Sequence, residues 1–397
     1  MPFLVPPASI DSESLVLVLA FGEPSLLEAQ CVFGEGAEVV PHCGDVAIAN
    51  LKGQRFKGFT QLAGVHKIAL PLPDVESPEF ADAISFPESN FNFSLSLYCI
   101  KGDPEAEYED LANELLATLR EAGHKKANLV RSRGGPELFS DKVVSRSAMD
   151  FVAFPIGADT QWGVTVYVPD TEGYKERSTE RPYVTSGISL SSRLAKLLVN
   201  LSGVSKGEVL LDPFCGTGTI LGEALLKGVE AVGVDRNHGS VERTKDNLEW
   251  VSSNAKAEGR KVPPYSVVAG DAMNLKRSLG ERRFDAIVSE PILVPKLSAP
   301  PSMEKARKLI RHASRIYSEA LHEMSGALRS GGRMVLVTPS LRTIDGSEVN
   351  LTFEDVRDVK LRPFQPPGSG RRYEYPLRVE HQSTRWVRRM VYVFERA

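Results

Sequence analysis

The sequence contains few cysteines and no long apolar run, and both absences narrow the class of protein. Its 397 residues include 4 cysteines, Cys31, Cys43, Cys99 and Cys215, which show no Cys-x-x-Cys spacing. This scatter argues against a zinc site and a disulfide framework, and it is typical of a reducing cytosol. No apolar stretch approaches the roughly 20 residues of a membrane span, and residues 1–7 lack the charged region of a signal peptide. We therefore expect a cytoplasmic protein without a membrane segment.

The chain also has little net charge, −3 at pH 7, but that charge is unevenly distributed. Residues 1–88 carry 12 acidic and 4 basic side chains, so the remainder is net positive. Basic side chains concentrate in three segments, 120–146, 296–315 and 371–396. Because charges are screened beyond about 8–10 Å, such local faces can bind a polyanion even in a mildly acidic protein. The alternative is that they are only solvated helix faces and edge strands.

The first 170 residues predict two small α+β modules. In the first, 1–88, an apolar strand over 14–21 leads into a helix for which Ser25 is the predicted N-cap. We interpret this module as ferredoxin-like. The second module, 89–170, predicts the order strand–helix–strand–strand–strand, with an amphipathic helix over 108–121.

After a linker over 171–189, residues 190–397 alternate between strand and helix patterns. This alternation is typical of a parallel, doubly wound α/β sheet, that is, a Rossmann-like domain. A final pair near 372–379 and 387–395 predicts an antiparallel edge. The predicted parallel strands are 208–212, 230–235, 264–269, 284–289 and 333–338.

The most informative motif is residues 212–219, Asp-Pro-Phe-Cys-Gly-Thr-Gly-Thr, which follows the first of these strands. A dinucleotide fingerprint holds a pyrophosphate at the helix N-terminus, but an acid directly before the turn would repel one. A carboxylate at Asp212 instead suits the cationic methionyl end of S-adenosylmethionine. Asp235, at the end of the second strand, can accept the ribose hydroxyls, and Asp271, after the third, can accept from the adenine amino group.

A glycine turn in an unrelated α/β fold is the alternative, but three acids at three successive strand ends favour a cofactor site. The candidate cofactor-binding residues are Asp212, Pro213, Gly216, Thr217, Gly218, Asp235, Arg236, Asp271 and Ala272.

The fourth strand ends in Ser289-Glu290-Pro291-Ile292-Leu293. Methyltransferases that act on exocyclic or amide nitrogens usually carry Asp or Asn, two prolines and an aromatic residue here. The side-chain oxygen of the Asp or Asn and a proline carbonyl accept hydrogen bonds from the amine and orient it, and the aromatic ring stacks on the base. Glu290 and Pro291 are therefore the candidate catalytic residues, while Ile292 and Leu293 replace the second proline and the aromatic residue. The alternative is a strand-end turn without a catalytic role.

Basic residues next to this loop and in the second module are candidates for contact with a phosphate backbone. An amphipathic helix, whose apolar face is marked by Ala306, Ile310, Ala313 and Tyr317, presents several of them on its polar face. No metal-ligand set is predicted. The candidate RNA-binding residues are Lys125, Lys126, Arg131, Arg133, Lys296, Lys305, Lys308 and Arg311.

Three stretches, 212–219, 187–195 and 289–291, carry a resemblance to a known family. The chain resembles the archaeal and eukaryotic tRNA guanine-N2 methyltransferases that have an RNA-binding THUMP module before the catalytic domain, and it looks like a divergent member. The resemblance implies S-adenosylmethionine as cofactor, tRNA as substrate, and N2 of the guanosine at tRNA position 10 as target. It also implies a partner in some relatives, a small zinc-containing activator subunit.

Two other functions stay open at this point. One is an amino-methyltransferase for DNA or protein, since the motif over 212–219 is shared by a broad group of nitrogen methyltransferases. The other is a non-catalytic tRNA-binding scaffold that keeps the fold and has lost the chemistry at Glu290. The acids and glycines of the cofactor motif argue against this second function, because a pure binder does not need them.

Overall fold

The structure is a computed structural model, and it describes residues 14–51, 61–77, 79–83, 91–99, 102–131, 149–156, 159–184, 190–291, 294–295, 297–353, 358–379 and 386–397. The chain forms two compact units. The first comprises residues 1–20, 33–172 and 367–370, and the second comprises 21–32, 173–366 and 371–397. Among the described helices, none combines the length and the apolar character needed to cross a membrane.

The first unit is built on one sheet of eight strands in the spatial order β2-β3-β1-β4-β8-β7-β5-β6. Strand β5 runs parallel to β6 and β7, and the other neighbours are antiparallel. The strands are β1 (Ser14–Leu19), β2 (Glu38–Cys43), β3 (Val46–Asn50), β4 (Val65–Leu72), β5 (Asn92–Leu97), β6 (Asn128–Leu129), β7 (Met149–Ile156) and β8 (Asp159–Tyr167).

Within the described residues, β5, one helix and β6 to β8 follow the predicted order strand–helix–strand–strand–strand. This helix, Pro104–Glu121, begins earlier than the predicted residue 108 because the Asp103 side chain accepts from the Glu105 N–H and caps it. It buries Tyr108, Ala112, Leu115 and Leu119 against the sheet. In chain order the first three helices are α1 (Glu23–Phe33), α2 (Glu79–Asp82) and α3 (Pro104–Glu121).

Cys43 and Cys99 form a disulfide in the first unit, with their Cα atoms 5.8 Å apart. This corrects the prediction that the cysteines form no disulfide. The two residues are 56 positions apart in the chain, and a spacing of that length says nothing about which residues the sheet brings together. Cys31 and Cys215 are free thiols.

A charged pair lies inside the first unit's sheet. Lys67 Nζ is 3.0 Å from Asp150 Oδ2, and both side chains are fully buried. Asp150 also accepts from the hydroxyls of Ser94 at 2.7 Å and Thr165 at 2.6 Å, while Lys67 donates to Ser96 Oγ at 2.8 Å. Buried charges are tolerated when they are paired and hydrogen-bonded, so this network joins β4, β5, β7 and β8.

The second unit contains a nine-stranded sheet in the order β11-β10-β9-β12-β13-β17-β15, with β14 paired to β13 and β16 to β17. Strands β9 to β13 are parallel and β17 is antiparallel to β13, which confirms the predicted doubly wound sheet with an antiparallel edge. The strands are β9 (Val209–Asp212), β10 (Glu230–Asp235), β11 (Tyr265–Ala269), β12 (Phe284–Ser289), β13 (Leu328–Arg342), β14 (Glu348–Asn350), β15 (Leu361–Pro363), β16 (Leu377–Arg378) and β17 (Val387–Arg396).

The order of the sheet reverses at β9, whose neighbours are β10 and β12. Ligands of open α/β sheets bind outside the carboxyl ends of the strands at such a switch point. The ends of β9, β10 and β12 therefore mark the expected position of a site. The further helices are α4 (Thr171–Thr179), α5 (Ser192–Leu201), α6 (Thr219–Leu226), α7 (His238–Ala257), α8 (Leu275–Leu279) and α9 (Met303–Ala327), with a 3₁₀ turn at Ala272–Asn274.

Helix α1 belongs to the second unit, although its flanking strands belong to the first. Glu28 of α1 is fully buried and accepts from Asn200 Nδ2 at 2.7 Å, while Lys227 Nζ donates to Asn200 Oδ1 at 2.9 Å. Burial lowers the pKa of Lys227 to about 8. The compact units thus differ from the predicted division at 1–88, 89–170, 171–189 and 190–397. Helix α1 belongs to the second unit because its contacts are with that unit, although it lies early in the chain. The separate roles of those modules stay a prediction.

Ser25 is not the N-cap of α1, contrary to the prediction. The helix begins at Glu23, because the Gly22 carbonyl accepts from the Ser25 N–H at 3.0 Å and from the Leu26 N–H at 3.4 Å. The Ser25 hydroxyl accepts instead from the Phe21 N–H at 3.1 Å, from inside the first turn.

We expect Asp150→Leu to destabilise the first unit by about 3–5 kcal/mol, because it leaves the Lys67 charge buried without its counter-charge. The double variant Lys67→Met/Asp150→Leu removes both charges and should recover part of this loss. Urea unfolding followed by circular dichroism measures both. A double variant less stable than the single one would show that the pair does not act through charge compensation.

Candidate cofactor and catalytic site

Asp212 is the buried centre of the candidate site. It ends β9 and is 2% exposed. Its Oδ1 accepts from the Phe214 N–H at 3.1 Å and from the Ser289 hydroxyl, at the end of β12, at 2.7 Å. Burial raises the pKa of Asp212 to about 7, and the negative charges of Asp235 and Glu290 act in the same direction. A carboxylate held in this way has a strong preference for a cationic ligand.

The loop after Asp212 depends on two glycines. Gly216 and Gly218 have φ values of 55° and 80°, a left-handed conformation that other residues rarely adopt. A Cβ at Gly218 would also lie 2.8 Å from Thr244 Cγ2. The Thr244 hydroxyl donates to the Gly216 carbonyl at 2.7 Å, and the Gly218 N–H donates to the Cys215 carbonyl at 2.7 Å. These contacts hold the turn tightly and start α6 beside it.

Asp235 is half-buried at the end of β10 and supports the same loop. Its Oδ2 accepts from the Gly216 N–H at 3.0 Å, and its Oδ1 accepts from the Asn237 N–H at 2.9 Å. Each carboxylate oxygen has a second lone pair, so Asp235 retains acceptor capacity for hydroxyl groups. Arg236, which lies between Asp235 and Asn237, is exposed.

Asp271 lies beyond the end of β11 and is exposed. Its Oδ1 accepts from the Met273 N–H at 3.0 Å and caps the 3₁₀ turn that begins at the buried Ala272. Gly270 precedes it where a Cβ would lie 2.2 Å from Ser278 Oγ. The sequence spacing therefore brings Asp212, Asp235 and Asp271 to the carboxyl ends of three adjacent strands.

Glu290 follows β12 directly and pairs with Arg389 of β17. Arg389 Nε donates to Oε1 at 2.6 Å and Nη2 donates to Oε2 at 3.4 Å, so the contact is bidentate. The two side chains are only 13% and 11% exposed. Burial raises the pKa of Glu290, and the Arg389 guanidinium opposes this rise. Pro291 is buried, while Ile292 and Leu293 lie outside the described residues.

Known proteins resemble the part of the chain that contains this site. Residues 180–347 match the family described as UPF0020: RMKL-like, methyltransferase domain. A tRNA (guanine(10)-N2)-dimethyltransferase of Methanothermobacter thermautotrophicus is 37% identical over 163 residues, which are 41% of this chain and 42% of that protein. A probable tRNA (guanine(10)-N2)-dimethyltransferase of Methanothermococcus thermolithotrophicus is 36% identical over 113 residues, which are 28% of this chain and 67% of that protein. The chain belongs to the tRNA guanine-N2 methyltransferase family.

This membership confirms the predicted family, and the matched stretch spans about two fifths of the Methanothermobacter relative. The crystal structure of TrmN from Thermus thermophilus has a TM-score of 0.51 to this chain, with 18% identity over 97% of this chain and 100% of TrmN. That likeness supports the Rossmann-like methyltransferase fold. The assignment of residues 89–170 as a THUMP-like RNA-binding module stays a prediction.

Two arginines of the second unit contact the candidate site and were not predicted from the sequence. Arg389 is 99 residues from Glu290, and only its place in a basic segment pointed to it. Arg181 precedes the matched motif at 187–195 and is 6% exposed. Its guanidinium donates to the hydroxyls of Thr219 at 2.7 Å and Thr217 at 3.3 Å, on either side of Gly218.

The candidate RNA-binding residues lie in both units, and most of them are exposed. Lys125, Lys126 and Arg131 are exposed in the first unit, where Arg131 pairs with Glu109. Lys305, Lys308 and Arg311 are exposed on α9, whose opposite face buries Ala306, Ile310, Ala313 and Tyr317. Arg133 and Lys296 lie outside the described residues.

No group of three or more His, Cys, Asp or Glu side chains suited to a metal ion occurs in the part of the chain that the structure describes.

We expect Asp212→Asn to raise the melting temperature of the ligand-free protein at pH 8. The folded state raises the pKa of Asp212 to about 7, so its contribution to stability is present below the unfolded pKa of about 3.9 and is lost as the pH rises through 7. An asparagine keeps the acceptor for Phe214 and Ser289 without the buried charge. Calorimetric melts should show a gain on the order of 3–4 kcal/mol at pH 8 that falls to about a third of that value at pH 5. An equal effect at both pH values would contradict this account.

Proposed function

We propose that this protein is an S-adenosylmethionine-dependent methyltransferase that modifies the exocyclic N2 of a guanosine in tRNA, at position 10. The observation that carries the proposal is the set of acidic side chains at adjacent strand ends, with the glycine loop between them, in a chain of this family. The proposal includes a cytoplasmic location, where tRNA is used.

The chemistry of these residues fits S-adenosylmethionine. The buried Asp212 would accept from the cationic amine, Asp235 from the ribose hydroxyls and Asp271 from the adenine amino group. Gly216 leaves a part of the loop that a ligand can approach without meeting a Cβ, and Gly218 lets the chain turn tightly beside Thr244. A pyrophosphate does not fit, because Asp212 and Asp235 would both repel it. Pro213, Thr217, Arg236 and Ala272 complete the proposed cofactor-binding set.

Glu290 is the proposed proton acceptor, and Pro291 supplies a second acceptor through its carbonyl. When bound, the cofactor supplies a methyl group on a positively charged sulfur. The Glu290 carboxylate would accept a hydrogen bond from the guanine amine and take its proton as the new N–C bond forms. Arg389 favours the ionised form of this buried carboxylate and fixes the direction of its oxygens.

We expect Arg389→Met to lower kcat and to move the acid limb of the kcat–pH profile to higher pH. Without the guanidinium, burial is left unopposed and the pKa of Glu290 rises, so the ionised form is lost at a higher pH. Arg388→Met is the matched control, since Arg388 is the next residue of β17 and pairs with Glu348 instead. Glu290→Gln should abolish turnover at every pH while cofactor affinity is retained. A lower kcat for Arg389→Met with an unmoved pH profile would restrict Arg389 to a structural role.

The candidate basic residues of both units are the proposed contacts to the tRNA backbone. They comprise Lys125, Lys126, Arg131 and Arg133 in the first unit, and Lys296, Lys305, Lys308 and Arg311 in the second.

We expect the triple variant Lys305→Gln/Lys308→Gln/Arg311→Gln to weaken tRNA binding and to flatten its salt dependence. Each lost phosphate contact lowers the slope of log K against log salt by about 0.7–0.9. A control with the same charge change is Lys256→Gln/Arg260→Gln/Lys261→Gln, at the end of α7, where all three residues are exposed. Equal slopes for the two triple variants in filter-binding assays from 50 to 200 mM salt would show that α9 does not contact the RNA.

The proposed function is tested by methyl transfer from labelled S-adenosylmethionine to an unmodified tRNA, with mass spectrometry of the nucleosides. We expect N2-methylguanosine or its dimethyl form, and no product when position 10 carries inosine, which lacks the N2 amine. Some members of the resembled family need a small zinc-containing activator subunit, and we include such a partner in the proposal. Methyl transfer to DNA or protein in place of tRNA would refute the proposed substrate.

One observation favours a second candidate function, a non-catalytic tRNA-binding scaffold. The Glu290 carboxylate already has a bidentate partner in Arg389, an arrangement that a structural ion pair would also show. This candidate predicts tRNA binding and cofactor binding without transfer, with or without an activator subunit.

A further inference from the structure

The Arg181 guanidinium forms hydrogen bonds to the glycine loop of the candidate cofactor site. It is 6% exposed, and its Nη1 donates to Thr219 Oγ1 at 2.7 Å. Its Nη2 makes a longer contact of 3.3 Å to Thr217 Oγ1. Because these threonines flank Gly218, the residue before α6, the guanidinium lies over the start of that helix.

One edge of this guanidinium lacks a full set of acceptors. Arg181 Nε is buried and has no hydrogen-bond partner among the described residues. Nε and Nη2 form the edge that binds a carboxylate through two parallel hydrogen bonds, and the Nη2 bond to Thr217 is the weaker of the two threonine contacts. A buried donor without an acceptor is destabilising, so an anionic acceptor at this edge would be stabilising.

The start of α6 favours a negative group at the same place. Gly218 is the N-cap and offers no side-chain acceptor to the first N–H groups of this eight-residue helix. These N–H groups form the positive end of the helix dipole. The negative charge of Glu223 acts on Arg181, but the Glu223 carboxylate is already paired with Arg177 at 2.7 Å.

A second tether holds the segment that carries Arg181. Asn247 Nδ2 donates to the Thr217 carbonyl at 2.8 Å and to the Tyr183 carbonyl at 2.9 Å, and its Oδ1 accepts from the Tyr183 N–H at 2.9 Å. Helix α7 therefore joins the Arg181 segment to the loop independently of the arginine. The loop should keep its shape when the guanidinium is removed.

We propose that Arg181 binds the α-carboxylate of the cofactor's amino-acid end. This inference rests on the proposed function and deepens it, because it makes the loop a site for a zwitterion. Asp212 accepts from the cationic amine and Arg181, with the start of α6, binds the carboxylate. The amino-acid end thus supplies much of the ligand recognition, and a nucleoside without that end binds less tightly.

Isothermal titration calorimetry with two ligands tests this role without any need for turnover. S-Adenosylhomocysteine carries the amino-acid end, and 5′-methylthioadenosine has the same nucleoside and sulfur without it. For Arg181→Met we expect the affinity for S-adenosylhomocysteine to fall about 10- to 100-fold and that for 5′-methylthioadenosine to stay within about threefold. Arg181→Lys keeps the charge without the two-donor edge, and it should recover part of the loss.

Thr219→Val is the matched control, because it removes the Nη1 anchor and leaves the Nε and Nη2 edge in place. It should affect S-adenosylhomocysteine much less than Arg181→Met does. Equal losses for both ligands in Arg181→Met would show that the arginine only shapes the loop, which overturns this inference and leaves the proposed function intact. If the unaltered protein binds neither ligand, the proposed cofactor itself is wrong, and the inference is refuted with it. Should Arg181→Met not fold, the ratio of the two affinities in Arg181→Lys decides in the same way.

Discussion

The hydrogen bond between the Ser289 hydroxyl and the buried Asp212 carboxylate is the contact on which the site depends. It joins the ends of β9 and β12, the two strands at the switch point of the sheet, at 2.7 Å. The same carboxylate oxygen accepts from the Phe214 N–H and so fixes the first turn of the glycine loop. The glycine loop of the proposed cofactor site and the strand end that carries Glu290 are therefore held by one acid, and a shift of that acid would move both.

The buried acids of the second unit differ in whether a positive side chain lies next to them. Glu290 has a guanidinium partner, whereas Asp212 has hydrogen-bond donors but no positive partner among its described contacts. An acid without a counter-charge is costly to bury, which is why the pKa of Asp212 is raised to about 7 and not lowered. Conversely, Arg181 is a buried cation whose Nε has no acceptor among the residues that the structure describes. A ligand with both a cationic and an anionic group would supply a counter-charge to Asp212 and an acceptor to Arg181 Nε.

Local sequence patterns predicted the parts of the structure that depend on local rules. The strand-end acids, the left-handed Gly216 and Gly218, and the amphipathic α3 and α9 all follow from spacing and backbone preference, and the structure contains them. Contacts between distant residues were not predictable in this way. The Glu290–Arg389 pair, the Cys43–Cys99 disulfide and the assignment of α1 to the second unit each join residues that are far apart in the chain. Such contacts are selected by tertiary packing, which no local pattern encodes.

The placement of α1 has a consequence for the order of folding during synthesis. Glu28 is fully buried only when Asn200, 172 residues later, is in place. At about 5–20 residues per second, the ribosome needs roughly 10–30 s to supply that partner. Until then β1 and β2 can each pair with β3, while the apolar side chains of α1, among them Leu26, Leu27 and Ala29, stay exposed to water. The second unit therefore packs against a helix that is synthesised well before its other elements. A chaperone that covers α1 in the interval would protect the growing chain.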